Sequence, residues 1–451
     1  MLYRMAMETI LVPFFEMSSL YGLKGIGKEQ LEAAPIDCAR KLVQVFSSLP
    51  DKRVQGRSLH RLDEIITITF LALLCYCENV EEIAAFGKAF EPWLKTFMIL
   101  EHGAPSESTY YRAYRALSPQ ALEAVSSEYL HKAFNKIRTA LNVRAKKDKE
   151  KQKKLEEEEH KRRQVACDGK SLNGSGRGSG AKKEASNTQI LHIYDVSTGI
   201  CLYSETIDEK TNEIPVLQKS LPLIDIKGAI VSFDALNTQK ETVSVAIDLR
   251  ADYICALKQN HEGFSNSAQA YFSEERLEAL KAQGCYIEHT EKANNNIVVR
   301  RHWIERSLEW LECKGSWAGL KAIVYVEREM TNINTHAKSV QTEMYITSLE
   351  DDLCAAESLR AHWRVENCLN WHLDVSFGED SSKIAGTNAN ANLSVLRKMA
   401  LSFCKLAKPV LGTKSIKATR KAFSWQLGEK LGQILSLFDD AQLFEEIAHI
   451  A

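Results

Sequence analysis

The spacing of apolar and polar positions changes period along the chain. From Ser58 to about Ile137 apolar residues recur at helical spacing: LHRLDEIITITFLALL, then NVEEIAAFGKAF with Asn79 placed to cap it, then EPWLKTFMIL. After a turn at Gly103–Pro105, SESTYYRAYRAL starts a further helix with Ser106 or Ser108 at its N-cap. Past Arg163 the pattern is that of strands. RQVACDGKSL, TQILHIYDVSTG and ICLYSETI read as three of them, with Ser-Thr-Gly as the turn between the last two. NEIPVLQKSLPLI reads as a helix, GAIVSFDAL as a buried strand, KETVSVAIDLRA as a helix and DYICALKQN as a strand. Strand-like pieces fill residues 285–349. A long helix then starts near Ala355 and runs through SLRAHWRVENCLNWHL. Three antiparallel strands followed by βαβ units predict a mixed α/β sheet with right-handed crossovers.

Charge supplies the boundaries. In residues 144–163, 16 of 20 positions are ionic, ten basic and six acidic. The run reads as a solvated helical linker with i,i+4 pairs, with a DNA-backbone contact as the alternative. It divides an extension (1–50) and a helical region (51–143) from an α/β region (164–410) and a helical tail (411–451). The glycine-rich stretch from Gly174 to Gly180 lacks the spacing of phosphate-binding loops and reads as a flexible hairpin loop.

With 45% hydrophobic residues in 451, a buried core is assured and a disordered or fibrous chain is excluded. Lys+Arg number 58 against 59 Asp+Glu, so no global field draws nucleic acid, and any such contact needs a local basic patch. One candidate is the helix carrying Arg112 and Arg115 beside Tyr110, Tyr111 and Tyr114. It reads either as the reader of a helix-turn-helix or as a surface helix of an ordinary bundle. The longest apolar run, Ile65 to Cys77, is 13 residues against the ~20 that a membrane helix needs. The N-terminus makes a poor secretory signal. The eleven cysteines include no C-x-x-C pair and no zinc-like grouping, as expected of reduced thiols in a cytoplasmic protein.

The candidate chemistry is carboxylate chemistry. Asp168 closes the apolar strand Val165-Ala166-Cys167, and Asp234 closes Ile230-Val231-Ser232-Phe233. An acid at the end of a hydrophobic strand is costly to bury unless it is paired or binds metal. Glu366 follows on the long helix, where His362, Glu366 and Asn370 fall four apart on one face with Asn367 beside them. Such a set can hold two Mg²⁺ ions roughly 3.5–4 Å apart through carboxylate oxygens. Mn²⁺ suits the same donors.

The blocks ACDGKSLNGS, DALNTQKETVSVAIDLRADYICALKQNH and RAHWRVENCLNWHLDVSFGED, with DKRVQGRSLHRLDEIITITFLALLCYCENVEEIAAF upstream, resemble the DDE transposases of the H-repeat-associated insertion-sequence family. The resemblance covers roughly residues 45–410, with the blocks in the family's order. It implies an RNase H-like catalytic domain with a strand-rich insertion at about 285–349, preceded by a helical N-terminal domain. It also implies that Asp168, Asp234 and Glu366 are the catalytic, metal-binding acids. The implied activity is binding of the element's ends in double-stranded DNA, then Mg²⁺-dependent cleavage and strand transfer into target DNA by a homodimer. A nuclease without strand transfer and a non-catalytic DNA-binding derivative are the alternatives; retention of all three acids argues against the second. The broader superfamily's Tyr…Arg…Glu…Lys signature is incomplete, since His362 and Leu373 stand at its Arg and Lys positions. Phosphate contacts are therefore expected from Arg360, Arg364 or Lys383. Trp303, next to Arg300, Arg301 and His302, reads as core or as a face for an unpaired base at the cleaved end.

Overall fold

The computed structural model describes residues 35–54, 56–130, 162–175, 187–207, 211–293, 295–384 and 386–439. Most of the charged run, most of the glycine-rich stretch and both chain ends lie outside them.

The most apolar segment forms α2 (Leu62–Leu74), which follows α1 (Pro35–Ser47), and all thirteen of its residues are buried. A helix apolar all round has to be covered all round. Its two internal threonines avoid an unpaired hydroxyl by donating back one turn, Thr67 to the Asp63 carbonyl at 2.7 Å and Thr69 to that of Ile65 at 2.8 Å. Helix α3 (Val80–Ala89) is capped by Asn79, whose side chain accepts from the Glu82 amide at 2.9 Å. Ser106 sits at the N-cap of α4 (Glu107–Ala116), but its hydroxyl does not bond to the helix backbone. Tyr110 and Tyr114 of α4 turn inward, the latter meeting the Thr69 hydroxyl at 2.6 Å, while Arg112 and Arg115 face solvent.

The sheet begins with β1 (Gln164–Leu172), β2 (Thr188–Asp195) and β3 (Ile200–Ile207), a meander of antiparallel neighbours. Helix α5 (Glu213–Ser220) leads to β4 (Ile230–Phe233), and α6 (Lys240–Asp248) to β5 (Asp252–Leu257); β4 lies parallel to both β1 and β5. After α7 (Glu262–Tyr271) and α8 (Glu274–Ala282) come β6 (Tyr286–Ala293), β7 (Asn296–Glu305), β8 (Ala322–Asn332) and β9 (Lys338–Thr347). The nine strands run in the order β3-β2-β1-β4-β5-β9-β8-β7-β6. The strand-rich segment therefore extends the sheet, because β9 pairs antiparallel with the edge of β5 from Ile254↔Thr347 to Leu257↔Met344. An antiparallel β1–β3 meander joined through β1 to parallel β4 and β5 is the RNase H-like fold that the resemblance implies.

Helix α9 (Asp352–His362) does not continue smoothly. Residues Glu366–Asn370 form a π turn, α10 (Trp371–Phe377) resumes the helix, and Gly378 ends it in the left-handed region at φ 62°. The long helix α11 (Thr387–Val410) is followed by α12 (Ile416–Trp425) and α13 (Leu427–Asp439). Phe403 of α11 packs edge-on to Phe70 of α2 at 5.6 Å, and Asn392 donates to the Tyr114 and Leu117 carbonyls at 2.8 and 2.9 Å. Arg420 of α12 donates to the Leu73 carbonyl at 2.9 Å. The N-terminal and C-terminal helices thus share one core, which also covers the Ala166 side of β1.

Candidate active site

Strand register brings the first two acids level. On β1 and β4, Ala166 pairs with Ser232 and Cys167 with Phe233, so the next residues, Asp168 and Asp234, lie side by side. Asp234 stands just past the end of β4, but Asp168 does not close its strand as the sequence pattern suggested, because β1 runs on to Leu172 in its pairing with β2. Parallel neighbours lie about 4.8 Å apart, close enough for two carboxylates to feel each other strongly.

The third acid arrives on the helix. Asn370, at the end of the π turn, donates its side-chain N–H to Asp168 Oδ2 at 2.9 Å and to Glu366 Oε2 at 3.2 Å. Four positions further on, Asp374 receives Lys170 Nζ at 2.5 Å. Two residues along a strand advance about 6.6 Å and four along a helix about 6 Å, so the two rungs hold helix and strand in step. Lys170 also bonds Glu379 Oε2 at 2.6 Å, and both of those side chains are buried. On the neighbouring strand, His362 Nδ1 meets Ser232 Oγ at 3.0 Å, and Gln164 reaches both Ser232 Oγ at 3.1 Å and the Ser358 carbonyl at 2.8 Å. Burial drives the His362 pKa down to about 4 despite the attraction of Asp234, so its imidazole is neutral and positions the helix rather than carrying charge.

A fourth carboxylate, which sequence reasoning passed over, lies beside these three. Glu213 opens α5 as the residue after its Asn212 cap, where an acid reads simply as a favourable helix start. Its Oε1 accepts from Asn237 Nδ2 at 2.9 Å, and the same Nδ2 donates to Asp234 Oδ1 at 3.1 Å. The Asp-x-x-Asn spacing after β4 was the available signal: Asn237 also donates its backbone N–H to Asp234 Oδ1 at 3.1 Å, closing a local turn.

Burial first, then the charges of Glu366, Glu213 and Asp234, push the Asp168 carboxyl up to about 7. A raised folded-state pKa means that the native protein holds a proton which the unfolded chain has already released, so the group's contribution to stability falls as pH rises from about 4 to about 7. In EDTA, Asp168→Asn is expected to be more stable than the parent above pH 7, by up to about 4 kcal/mol, and equal to it below pH 4. Urea denaturation at pH 4, 6 and 8 checks this, and equal stability of the two proteins at pH 8 would refute it.

The donors are oxygens of the kind hard divalent cations take. Two buried amide oxygens beside them, Asn237 Oδ1 and Asn370 Oδ1, have no hydrogen-bond partner among the described residues. Among the described residues, no three acids, histidines or cysteines close on a single point as the side chains stand. The two asparagine amides occupy the space between the carboxylates, and those carboxylates must turn off them to share an ion.

The other expected contacts are dispersed. Arg360 is taken up by Glu291 of β6, which also holds Arg300. Arg364 donates to the Val196 carbonyl at 3.4 Å, and Asn367 and Lys383 are exposed. Trp303 is 8% exposed and packs against Tyr286 and Tyr325 at 5.2 and 5.8 Å between ring centres. Buried on that face of the extended sheet, its indole is core and offers no surface to a base. Its basic neighbours are neutralised too, Arg301 by Glu327 at 2.7 Å and Glu329 at 3.2 Å.

The sequence matches the family described as "Transposase DDE domain" over residues 159–403, more than half of the chain, and the region "DDE_Tnp_1-associated" over residues 43–130. The chain belongs to the DDE transposase family. This family member is 27% identical over 390 residues to "Putative transposase YncI" of Escherichia coli O157:H7, covering 85% of this chain and 91% of that one. It is 27% identical over 369 residues to "H repeat-associated putative transposase YhhI" of Escherichia coli K12, covering 80% and 90%. It is also 29% identical over 283 residues to "Uncharacterized protein in dhlA 3'region" of Xanthobacter autotrophicus, covering 62% and 86%. Among the described residues of this DDE transposase, no helix is long and apolar enough to cross a membrane.

Proposed function

We propose that the chain binds the ends of an insertion sequence, cleaves the DNA there and joins the 3′ ends to target DNA, acting in the cytoplasm as a homodimer on paired ends. Asp168, Asp234 and Glu366 are the catalytic acids in this reading. The observation that carries it is the Asn370 amide held between Asp168 and Glu366, with Asp168 in register with Asp234.

The three carboxylates would hold two Mg²⁺ ions, which Mn²⁺ can replace. Bound ions activate the attacking water or 3′-hydroxyl and stabilise the leaving oxygen. Strands β1 and β4 fix Asp168 and Asp234, and the π turn presents Glu366 from the helix above them; π turns inside helices often mark functional sites. Asn370 keeps Glu366 near Asp168, and neutral His362 locks the helix to β4 without adding positive charge.

The test incubates the full chain with DNA flanking its gene. Cleaved ends and joined products are expected with Mg²⁺ or Mn²⁺, and neither in EDTA; Ca²⁺ should support binding with little chemistry. Cleavage without joining would reassign the protein as a nuclease. Equal activity in EDTA would refute the metal mechanism.

Recognition of the ends is assigned to the region around α4, whose Arg112 and Arg115 are exposed. If both neutralise phosphates, Arg112→Ala and Arg115→Ala should each lower the slope of log affinity against log salt by about one charge. An unchanged slope, measured by filter binding from low to moderate salt, would move this role to another surface.

A further inference from the structure

We infer that Glu213 is a fourth carboxylate of the cation site, acting beside Asp168 and Asp234, and that Gly169 and Asn237 position it. The inference rests on the reading of that site given above. It starts from a glycine. Gly169 follows Asp168 on β1, where alternation turns its missing side chain to the opposite face of the sheet, the face covered by α5. A Cβ built on Gly169 would overlap the Glu213 carboxylate, with both oxygens and the carbon inside contact distance. The Glu213 head group therefore fills the space a side chain would have taken and lies against the backbone next to Asp168.

Asn237 completes the arrangement from the β4 side. Its Nδ2 is bonded to both Asp234 Oδ1 and Glu213 Oε1, which places the two oxygens within about 6 Å of each other, the two bonds laid end to end. Asn237 is fully buried, yet its Oδ1 has no partner among the described residues. A buried amide oxygen is rarely left unsatisfied, because its desolvation is not offset. An oxygen-seeking ligand in this space would satisfy it. A second buried amide oxygen without a partner among the described residues, Asn370 Oδ1, stands on the Glu366 side. Among the described residues, Glu213 makes no bond to Lys or Arg, and its hydrogen bond is to neutral Asn237.

The arrangement makes sense if the carboxylate is needed when a cation is present. Without one, Glu213 adds negative charge to acids that already repel one another, and Asn237 separates it from Asp234 by donating to both. With a divalent cation, the same charge strengthens the oxygen donor set.

The experiment measures Mn²⁺ affinity of the full chain by the paramagnetic signal of free Mn²⁺, alongside DNA cleavage and the melting temperature in EDTA. The variants are Glu213→Gln, Glu213→Asp and Gly169→Ala, with Asp168→Asn as reference. Gln keeps the acceptor for Asn237 and loses only the charge, so the metal-free fold should be unchanged or slightly more stable. Mn²⁺ affinity should fall about tenfold or more, with slower cleavage, a size typical of residues that shape a metal site. Glu213→Asp should restore part of the affinity. Gly169→Ala should reproduce the Glu213→Gln loss, because its methyl displaces the carboxylate. Mn²⁺ affinity within twofold of the parent in both Glu213→Gln and Gly169→Ala, with Asp168→Asn impaired, would overturn the role of Glu213 alone. Unimpaired binding and cleavage in Asp168→Asn would overturn the site itself and this inference with it.

Discussion

Asp168→Asn, Asp234→Asn and Glu366→Gln are each expected to lower DNA cleavage by about a thousandfold or more, while binding to element ends stays within a few fold. The expectation follows from geometry. Asp168 within β1 and Asp234 just past β4 lie level on adjacent parallel strands, and Glu366 is tied to Asp168 by one asparagine amide. Groups that hold the same ions act as a unit, so removing a second acid should cost little beyond the first. Single-turnover cleavage of labelled end DNA, paired with a gel-shift titration, separates chemistry from binding. Partial losses that add across the three positions would break the assignment of a shared site. A parallel loss of binding would instead mean that the substitutions disturb the fold.

Lys170→Met is expected to destabilise the protein by about 3–5 kcal/mol, far more than removal of a surface charge. Lys170 lies two residues beyond Asp168 on the same face of β1 and bonds Asp374 and Glu379 at 2.5 and 2.6 Å. Glu379 is 1% exposed, so losing the ammonium leaves a buried carboxylate without its direct ion pair, with only the charge of buried Arg397 and a bond from Ser394 to offset it. Burial alone pulls the Lys170 pKa down, but the two carboxylates more than reverse this and hold it above its usual value. Asp374 stays raised to about 6, because its desolvation outweighs the bond from Lys170. Removing the carboxylates together with the ammonium should recover much of the loss: the triple variant Lys170→Met, Asp374→Asn, Glu379→Gln is expected to be markedly more stable than Lys170→Met. Urea midpoints for the two variants and the parent provide the check. A cost below about 1 kcal/mol for Lys170→Met would show that the cluster is wet and works as a surface ion pair.

Much of the element pattern was legible in the chain, because period and caps are local. The apolar run in α2, the Asn79 cap and the meander ahead of the βαβ units all follow from residue spacing alone. So do two acids after apolar strand segments and a third on a helix, since each sits where local pattern makes a charge anomalous, although β1 runs on past Asp168 to Leu172 rather than ending there. What the spacing could not contain was pairing. That β4 lies beside β1 with Cys167 opposite Phe233 depends on which strands meet, and only that register sets Asp168 level with Asp234. The segment at 286–347 reads as strands by itself, but its annexation to the edge of β5 is a long-range choice. Trp303 was ambiguous for the same reason: a tryptophan beside three basic residues looks exposed until β8, with Glu327 and Glu329, and β6, with Glu291, pair alongside and neutralise Arg301 and Arg300. A continuous 3.6-residue pattern gave no warning of the π turn at Glu366–Asn370, whose last residue bonds Asp168 of β1. Glu213 was silent for a related reason. An acid at a helix start has an adequate local explanation, and only the tertiary fold brings it over Gly169 and within reach of Asn237, where its charge acquires a partner and a role.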